Sequence, residues 1–330
     1  MSHSFGFSGR AYRDLDWSSV PSVGGGYSDA GQHSQVLWPL FGHLPGLKVV
    51  CPSNAYDAKG LMTASIRDNN PVVFMFHKNL QGDPYWSPFF DGFKPVHAWL
   101  EKARPDVVVV LYNDHGLNFF LDKLPTFAVG AAPAYVNADE GWGIPQIPAL
   151  EGHQPLSWHM IETLVKDEFD VTSCQEMVVD HALTLPMALL WPSQAWPVKI
   201  VPVCINTVQF PLPSAKRCYA LGESVGRAIR SWKGNERVMV LGTGGLSHQL
   251  DGERAGFINK KFDTECLEAM VSGVEPLTKY SALDVVELAG AQGVELMCWI
   301  AARAAMQGEV KELHRTYHIP ISNTASAVQL

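Results

Sequence analysis

Three histidines and one glutamate stand in motifs whose residue types and placing could do metal chemistry. They are His115 in YNDHG, His181 in VVDHA, His248 in GTGGLSHQ and Glu295 in QGVEL. His115 and His248 sit just past runs that read as buried strands, DVVVVLY before Asn113 and RVMVLG before Thr243. In α/β proteins, ligands collect at the loops beyond the carboxyl ends of such strands. Imidazoles and a carboxylate delivered there could hold a borderline metal such as iron(II).

Each residue has its own physical reading. His115 has Asn113 and Asp114 beside it, short polar groups able to orient an imidazole from behind a metal. Glu295 opens the apolar segment GVELMCWIAARAA. There it either complements a helix dipole or, if buried, needs a partner such as a divalent cation. GTGGLSHQ lacks the lysine of a phosphate-binding loop and the spacing of a dinucleotide fingerprint. Its glycines suit a tight turn that projects His248 into a pocket, where an imidazole can take and return protons near neutral pH. His181 suits a substrate contact and a polar core position equally.

The elements that must position these groups follow an α/β rhythm. Segments 93–103, 156–168, 215–231, 262–271 and 293–305 read as helices, and 106–112, 199–205 and 237–241 as strands. Between 119 and 155 the chain reads as a long loop carrying DEGWG, either a functional surface or lid or a plain Ω-loop. Residues 1–31 read as a glycine- and serine-rich loop. After them come a helix at 35–43, a strand at 47–51, a helix at 56–67 and a strand at 71–77. The expected fold is α/β, a central mixed sheet flanked by helices, with an N-terminal strand–helix–strand segment of different origin.

Composition narrows the function classes. Hydrophobic residues make up 47% of the 330, enough for a sizeable core. Twenty-five basic against 33 acidic residues give a net charge of −8 with no basic block. Nucleic acid and anionic membrane are therefore unexpected partners. The six cysteines form no CxxC pair, which argues for a reducing compartment, and a cytoplasmic setting is expected. No uninterrupted run reaches the ~18 apolar residues of a membrane span.

Taken together, YNDHG, DEGWG, VVDH, PSAKRCYALGES, GTGGLSHQLDGERAGFINKKFD, GVELMCW and YHIPISNTA resemble the class III extradiol ring-cleavage dioxygenases. The resemblance is strongest to the β (catalytic) chain of protocatechuate 4,5-dioxygenase, with gallate dioxygenase a near relative, and covers about 82–330. It implies iron(II) as cofactor, with His115 and Glu295 among its ligands. It implies His248 as the acid/base and His181 in the substrate pocket, with a small aromatic acid and O2 as substrates. A small, separate α chain normally closes the pocket in this family, so a hetero-oligomer is expected. Ser322 and Thr324, in IPISNTA, are the hydroxyls expected to hold the substrate carboxylate.

Two departures follow. The resemblance implies a further metal histidine near position 66, where this chain has Ile66. Residues 24–80 instead are similar to the β subunit of thiamine-diphosphate-dependent 2-oxoacid or acetoin dehydrogenases, though only a fragment of one. His33, in QHSQ, reads as vestigial. His77, ending PVVFMFH, is either the remaining metal ligand or a sheet-end histidine inherited from the dehydrogenase-like fragment. The expected division is 1–80, a dehydrogenase-like α/β fragment, and 81–330, the dioxygenase catalytic domain. Two other readings stand beside the enzyme: a metal-poor dioxygenase-fold protein that binds an aromatic acid or a partner chain, and a thiamine-diphosphate dehydrogenase subunit fragment.

Overall fold

Six consecutive apolar residues, Val107–Tyr112, form strand β5 in the interior of the main sheet, and all six are buried. A strand apolar on both faces needs cover on both, and the alternation of its side chains shows how this is met. Val107, Val109 and Leu111 enter one hydrophobic cluster, while Val108, Val110 and Tyr112 enter another.

The computed structural model describes residues 22–23, 48–50, 72–74, 76–77, 87–140, 147–250, 252–319 and 324–330. The chain divides into two units, Met1–Phe90 and Asp91–Leu330. In the first, β1 (Ser22–Val23) pairs in parallel with β4 (Phe76–His77), and β2 (Lys48–Val50) with β3 (Val72–Phe74). A parallel pair needs a crossover between its strands. The helices expected at 35–43 and 56–67 lie outside the described residues, as does His33.

The second unit is built on a five-stranded mixed sheet. β5 lies between β12 (Val238–Gly242) and β11 (Lys199–Ile205), parallel to both. Beyond β11 come β6 (Phe127–Gly130), antiparallel to it, and β9 (Thr172–Cys174). A smaller sheet orders β10 (Val178–Val179), β7 (Ala134–Asn137) and β8 (Leu150–Glu151). A C-terminal hairpin joins β13 (Arg315–His318) to β14 (Ser326–Gln329). The expected mixed sheet flanked by helices is the fold observed. The segment expected as one long loop, 119–155, is different: it holds β6, β7 and β8. These strands have two to four residues each, too short for alternation to register in sequence.

Among the described residues the helices are α1 (Ser87–Asp91), α2 (Lys94–Ala103), α3 (Gln154–Lys166), α4 (His181–Leu190), α5 (Ala215–Ser231), α6 (Lys260–Ser272), α7 (Ala282–Ala289) and α8 (Leu296–Ala305). α5 and α8 cover one face of the sheet and approach closely, because small residues line their contact. A Cβ on Gly222 would run into the Ala301 carbonyl, and one on Gly226 into that of Ala305. α8 does not start at Gly293 as its apolar pattern suggests. A 3-10 turn, Gly293–Glu295, precedes it, and Glu295 sits at the junction. No described helix is long and apolar enough to cross a membrane.

Candidate metal centre and catalytic site

Because β5 and β12 run parallel, the segments that follow them emerge at the same edge of the sheet. The first carries Asn113, Asp114 and His115, the second the turn from Thr243 to His248. The start of α8 brings Glu295 to the same place. His115 Nε2 lies 3.4 Å from Glu295 Oε1. The Asn113 amide nitrogen stands between them, 3.2 Å from the imidazole and 3.3 Å from the carboxylate. Glu295 Oε2 accepts the Gly245 backbone N–H at 2.6 Å.

That turn needs glycine for two reasons. Gly244 has φ +106°, and a Cβ there would stand 2.6 Å from the Cβ of Glu295. At Gly245 an added Cβ would meet Thr324 Cγ2 at 3.1 Å, His248 Nδ1 at 3.5 Å and Glu295 Oε2 at 3.6 Å. The absent side chains leave room for three functional groups to gather around one point. His248 is pinned through its backbone: its N–H donates to Ala289 O, its carbonyl accepts from Gln292, and it bridges Thr324. Its Nδ1 atom is buried, with no hydrogen-bond partner among the described residues. Thr324 thus falls beside the cluster. Ser322 lies outside the described residues, and so does the side chain of His77.

The carboxylate that orients His115 is one that sequence reasoning passed over. Asp114, expected behind the ring, instead accepts the backbone N–H groups of Gly116, Asn118 and Phe119 and shapes the loop. Asp180, fully buried, accepts both the His115 backbone N–H at 2.7 Å and its Nδ1–H at 3.0 Å. Its other oxygen accepts the Ala182 N–H and caps α4. With Nδ1 committed, His115 presents Nε2. VVDH carried the signal: an Asp before a helical run is an N-cap pattern, although nothing local ties it to a histidine 65 positions earlier.

His181, the first residue of α4, is held in the same manner. Glu140 accepts its backbone N–H at 2.7 Å and its Nδ1–H at 2.5 Å. The His115 and His181 rings stack, with centroids 4.2 Å apart and planes 23° from parallel.

Electrostatics favour a cation here. Burial opposes protonation of His115, yet the Asp180 and Glu295 carboxylates outweigh it and push its pKa up to about 10. Burial pushes Glu295 up, but the His115 and Gly245 donors prevail and hold it below the usual carboxylate range. His248 is lowered, chiefly by burial; Glu295 opposes this, and His115 and His181 reinforce it.

The donor set can be tested for metal on geometry. Two donors sharing one ion at roughly 2 Å each, at right angles or wider, stand about 3–3.4 Å apart. The His115 Nε2–Glu295 Oε1 separation of 3.4 Å meets this. Among the described residues, His115, Asp180 and His181 also have donor atoms all within 4.8 Å of one another. That trio fits an ion poorly. The Asp180 oxygens are spent on His115 and Ala182. An ion in the plane of the His115 ring lies off the plane of His181, because stacked rings 23° apart converge by only about an ångström over a metal–nitrogen bond's reach. His115 and Glu295 are the fitting pair.

A model of the catalytic LigB subunit of aromatic ring-opening dioxygenase matches residues 70–327. The transketolase pyrimidine binding domain matches 18–83. The chain is 37% identical over 184 residues to gallate dioxygenase of Pseudomonas putida, covering 56% of this chain and 54% of that one. It thus spans about half the length of that relative. It is 29% identical over 276 residues to a 2,3-dihydroxyphenylpropionate/2,3-dihydroxicinnamic acid 1,2-dioxygenase of Photorhabdus laumondii, covering 69% and 84% of the two chains. The front segment is 65% identical over 60 residues to the beta subunit of acetoin:2,6-dichlorophenolindophenol oxidoreductase of Cupriavidus necator, 18% of each chain. With most of its length matched in this way and its histidines and glutamate gathered at one sheet edge, the chain belongs to the LigB family of aromatic ring-opening dioxygenase catalytic subunits.

Proposed function

We propose that this chain is an extradiol dioxygenase that uses iron(II) and O2 to open the ring of a small dihydroxylated aromatic acid, protocatechuate or gallate. The observation that carries the reading is the His115–Glu295 pair, two donors spaced for one ion, with the buried Nδ1 of His248 beside them. In this reading His115 and Glu295 hold the metal, and His77 is the remaining donor. The iron, when bound, would bring diphenol and dioxygen together and make the phenolic protons more acidic. His248 is the acid/base: its lowered pKa keeps it neutral at physiological pH, ready to receive a phenolic proton and return it later. His181 contacts the substrate. Thr324 and Ser322 supply hydroxyls to the ring carboxylate, and the acidic substrate argues for such donors. Residues 1–80 form the dehydrogenase-like fragment and 81–330 the catalytic domain, working in the cytoplasm as an oligomer with a small α chain.

The test is anaerobic loading with ferrous iron, followed by oxygen uptake with protocatechuate and gallate. Uptake of one O2 per ring opened is expected, with iron retention lost in His115→Ala and Glu295→Gln. Iron bound normally by both variants would overturn the site.

A second reading is favoured by one observation: among the described residues, His115 and Glu295 alone have the spacing and free donor atoms that fit an ion. In that reading the chain is a metal-poor member of the fold that binds an aromatic acid or a partner chain without opening the ring. Tight protocatechuate binding without iron retention or oxygen uptake would select it.

A further inference from the structure

The DEGWG motif has no part in the mechanism so far, yet one of its residues is among the most constrained polar groups near the site. The Glu140 side chain is 3% exposed. Its two oxygens divide between two donors of one residue, the backbone N–H of His181 and that ring's Nδ1. An ionised carboxylate only accepts hydrogen bonds. The ring nitrogen facing it must therefore carry the proton, and in the neutral ring Nε2 is the acceptor. The His181 side chain is 38% exposed, whereas that of Glu140 is buried. Stacking on His115 sets the His181 ring beside the His115–Glu295 pair, where it would lie out of line with an ion held by that pair.

We propose that Glu140 is a positioning residue that fixes the His181 tautomer, so that Nε2 accepts a hydrogen bond from a hydroxyl of an ortho-diphenol substrate. The assignment deepens the ring-opening reading and rests on it for the identity of the ligand. Asp180 acts on His115 in the same way, and the two carboxylates divide the labour. One aims an imidazole at the metal, the other aims its stacked neighbour at what binds next to the metal.

Glu140→Gln isolates the effect because it changes charge and donor pattern at constant shape. The His181 backbone N–H can only donate, so it takes the Gln carbonyl oxygen. The Gln amide N–H2 then faces Nδ1, which must become the acceptor, and the proton moves to Nε2. The experiment is 15N NMR of histidine-labelled, metal-free protein at mildly alkaline pH, with the His181 signals identified by their loss in His181→Asn. The wild type is expected to show His181 protonated at Nδ1 alone, and Glu140→Gln to show it protonated at Nε2. A second arm measures binding of protocatechuate and of benzoate to the zinc-loaded proteins. Glu140→Gln should weaken protocatechuate by about tenfold, the scale of one neutral hydrogen bond, and leave benzoate unchanged.

A wild-type His181 protonated at Nε2, or at both nitrogens, overturns the proposal whether or not the variant folds. So does an unchanged tautomer in a folded Glu140→Gln, or an equal loss for both ligands. The NMR arm needs neither iron nor turnover. A chain that never opens a ring therefore defeats the functional reading while the tautomer assignment is still judged.

Discussion

Asp180 is the residue whose role was least visible in the sequence, and it gives the cleanest prediction at this scale. It caps α4 and orients His115 at once. Asparagine is about as good a cap as aspartate, but it cannot offer two accepting oxygens. Asp180→Asn should therefore leave thermal stability nearly unchanged and lower metal affinity by roughly 10–100-fold, the usual effect of losing the partner behind a ligand. Calorimetric titration beside a melting curve checks the split, and an equal loss in both would reduce Asp180 to a structural cap. His248 makes the complementary case. His248→Ala should keep the metal and lose turnover by about 10²–10⁴; loss of bound iron would make it a ligand instead. Its pKa is lowered, so the acid limb of kcat/KM should fall below the ordinary histidine value of ~6.5. A limb above that value contradicts the assignment. The chemically typed residues were legible because histidines past apolar runs are informative. The residues behind them, Asp180 and Glu140, were not, because their partners are distant in sequence.

At the scale of elements, the long uniform ones could be read from the chain. β5, β11, α5 and α6 lie within a few residues of expectation, since each sustains one period over five residues or more. The short strands β6 to β10 could not, because their pairing partners rather than their own pattern define them. Helix packing gives a prediction here. Gly222 lets α5 lie against the Ala301 backbone of α8, the helix that Glu295 precedes. Gly222→Ala should destabilise by about 1–3 kcal/mol through overpacking, measured by denaturant unfolding. A neutral result would mean that the helices can separate freely. A second prediction concerns Asp106 and Arg237, which join the starts of β5 and β12. Hydrogen bonds from the Arg237 side chain and backbone lower the Asp106 carboxyl to about 2. A depressed carboxylate stabilises above its unfolded value of ~3.9 and loses that contribution as pH falls through its folded one. Asp106→Asn should be less stable than the wild type at neutral pH, and the gap should close between about 4 and 2. A gap that persists below that window would show that the pair acts through shape rather than charge.

At the scale of the whole molecule, two lineages share one chain. The pyrimidine-domain match ends at 83 and the dioxygenase match begins at 70, so the sequence of 70–83 answers to both. The compact units divide at 90 and 91. His77, proposed above as the remaining donor, lies in that shared stretch, ending the strand Phe76–His77. Two protein donors leave most of an ion's coordination to water, and affinity for divalent iron is modest to begin with in the order of first-row metals. If His77 is the third donor, His77→Ala should lower ferrous affinity by more than the roughly 10–100-fold expected for removing a partner behind a ligand. It should do so without changing the unfolding transition of residues 91–330, whose two hydrophobic clusters lie wholly within that unit. Deleting residues 1–69 while keeping His77 separates the donor from the rest of the front segment. Iron affinity that survives the deletion and falls with His77→Ala would assign the ligand to the strand end. Affinity unchanged in His77→Ala would leave iron to His115 and Glu295 alone, and the dehydrogenase-like segment would then have no part in the chemistry.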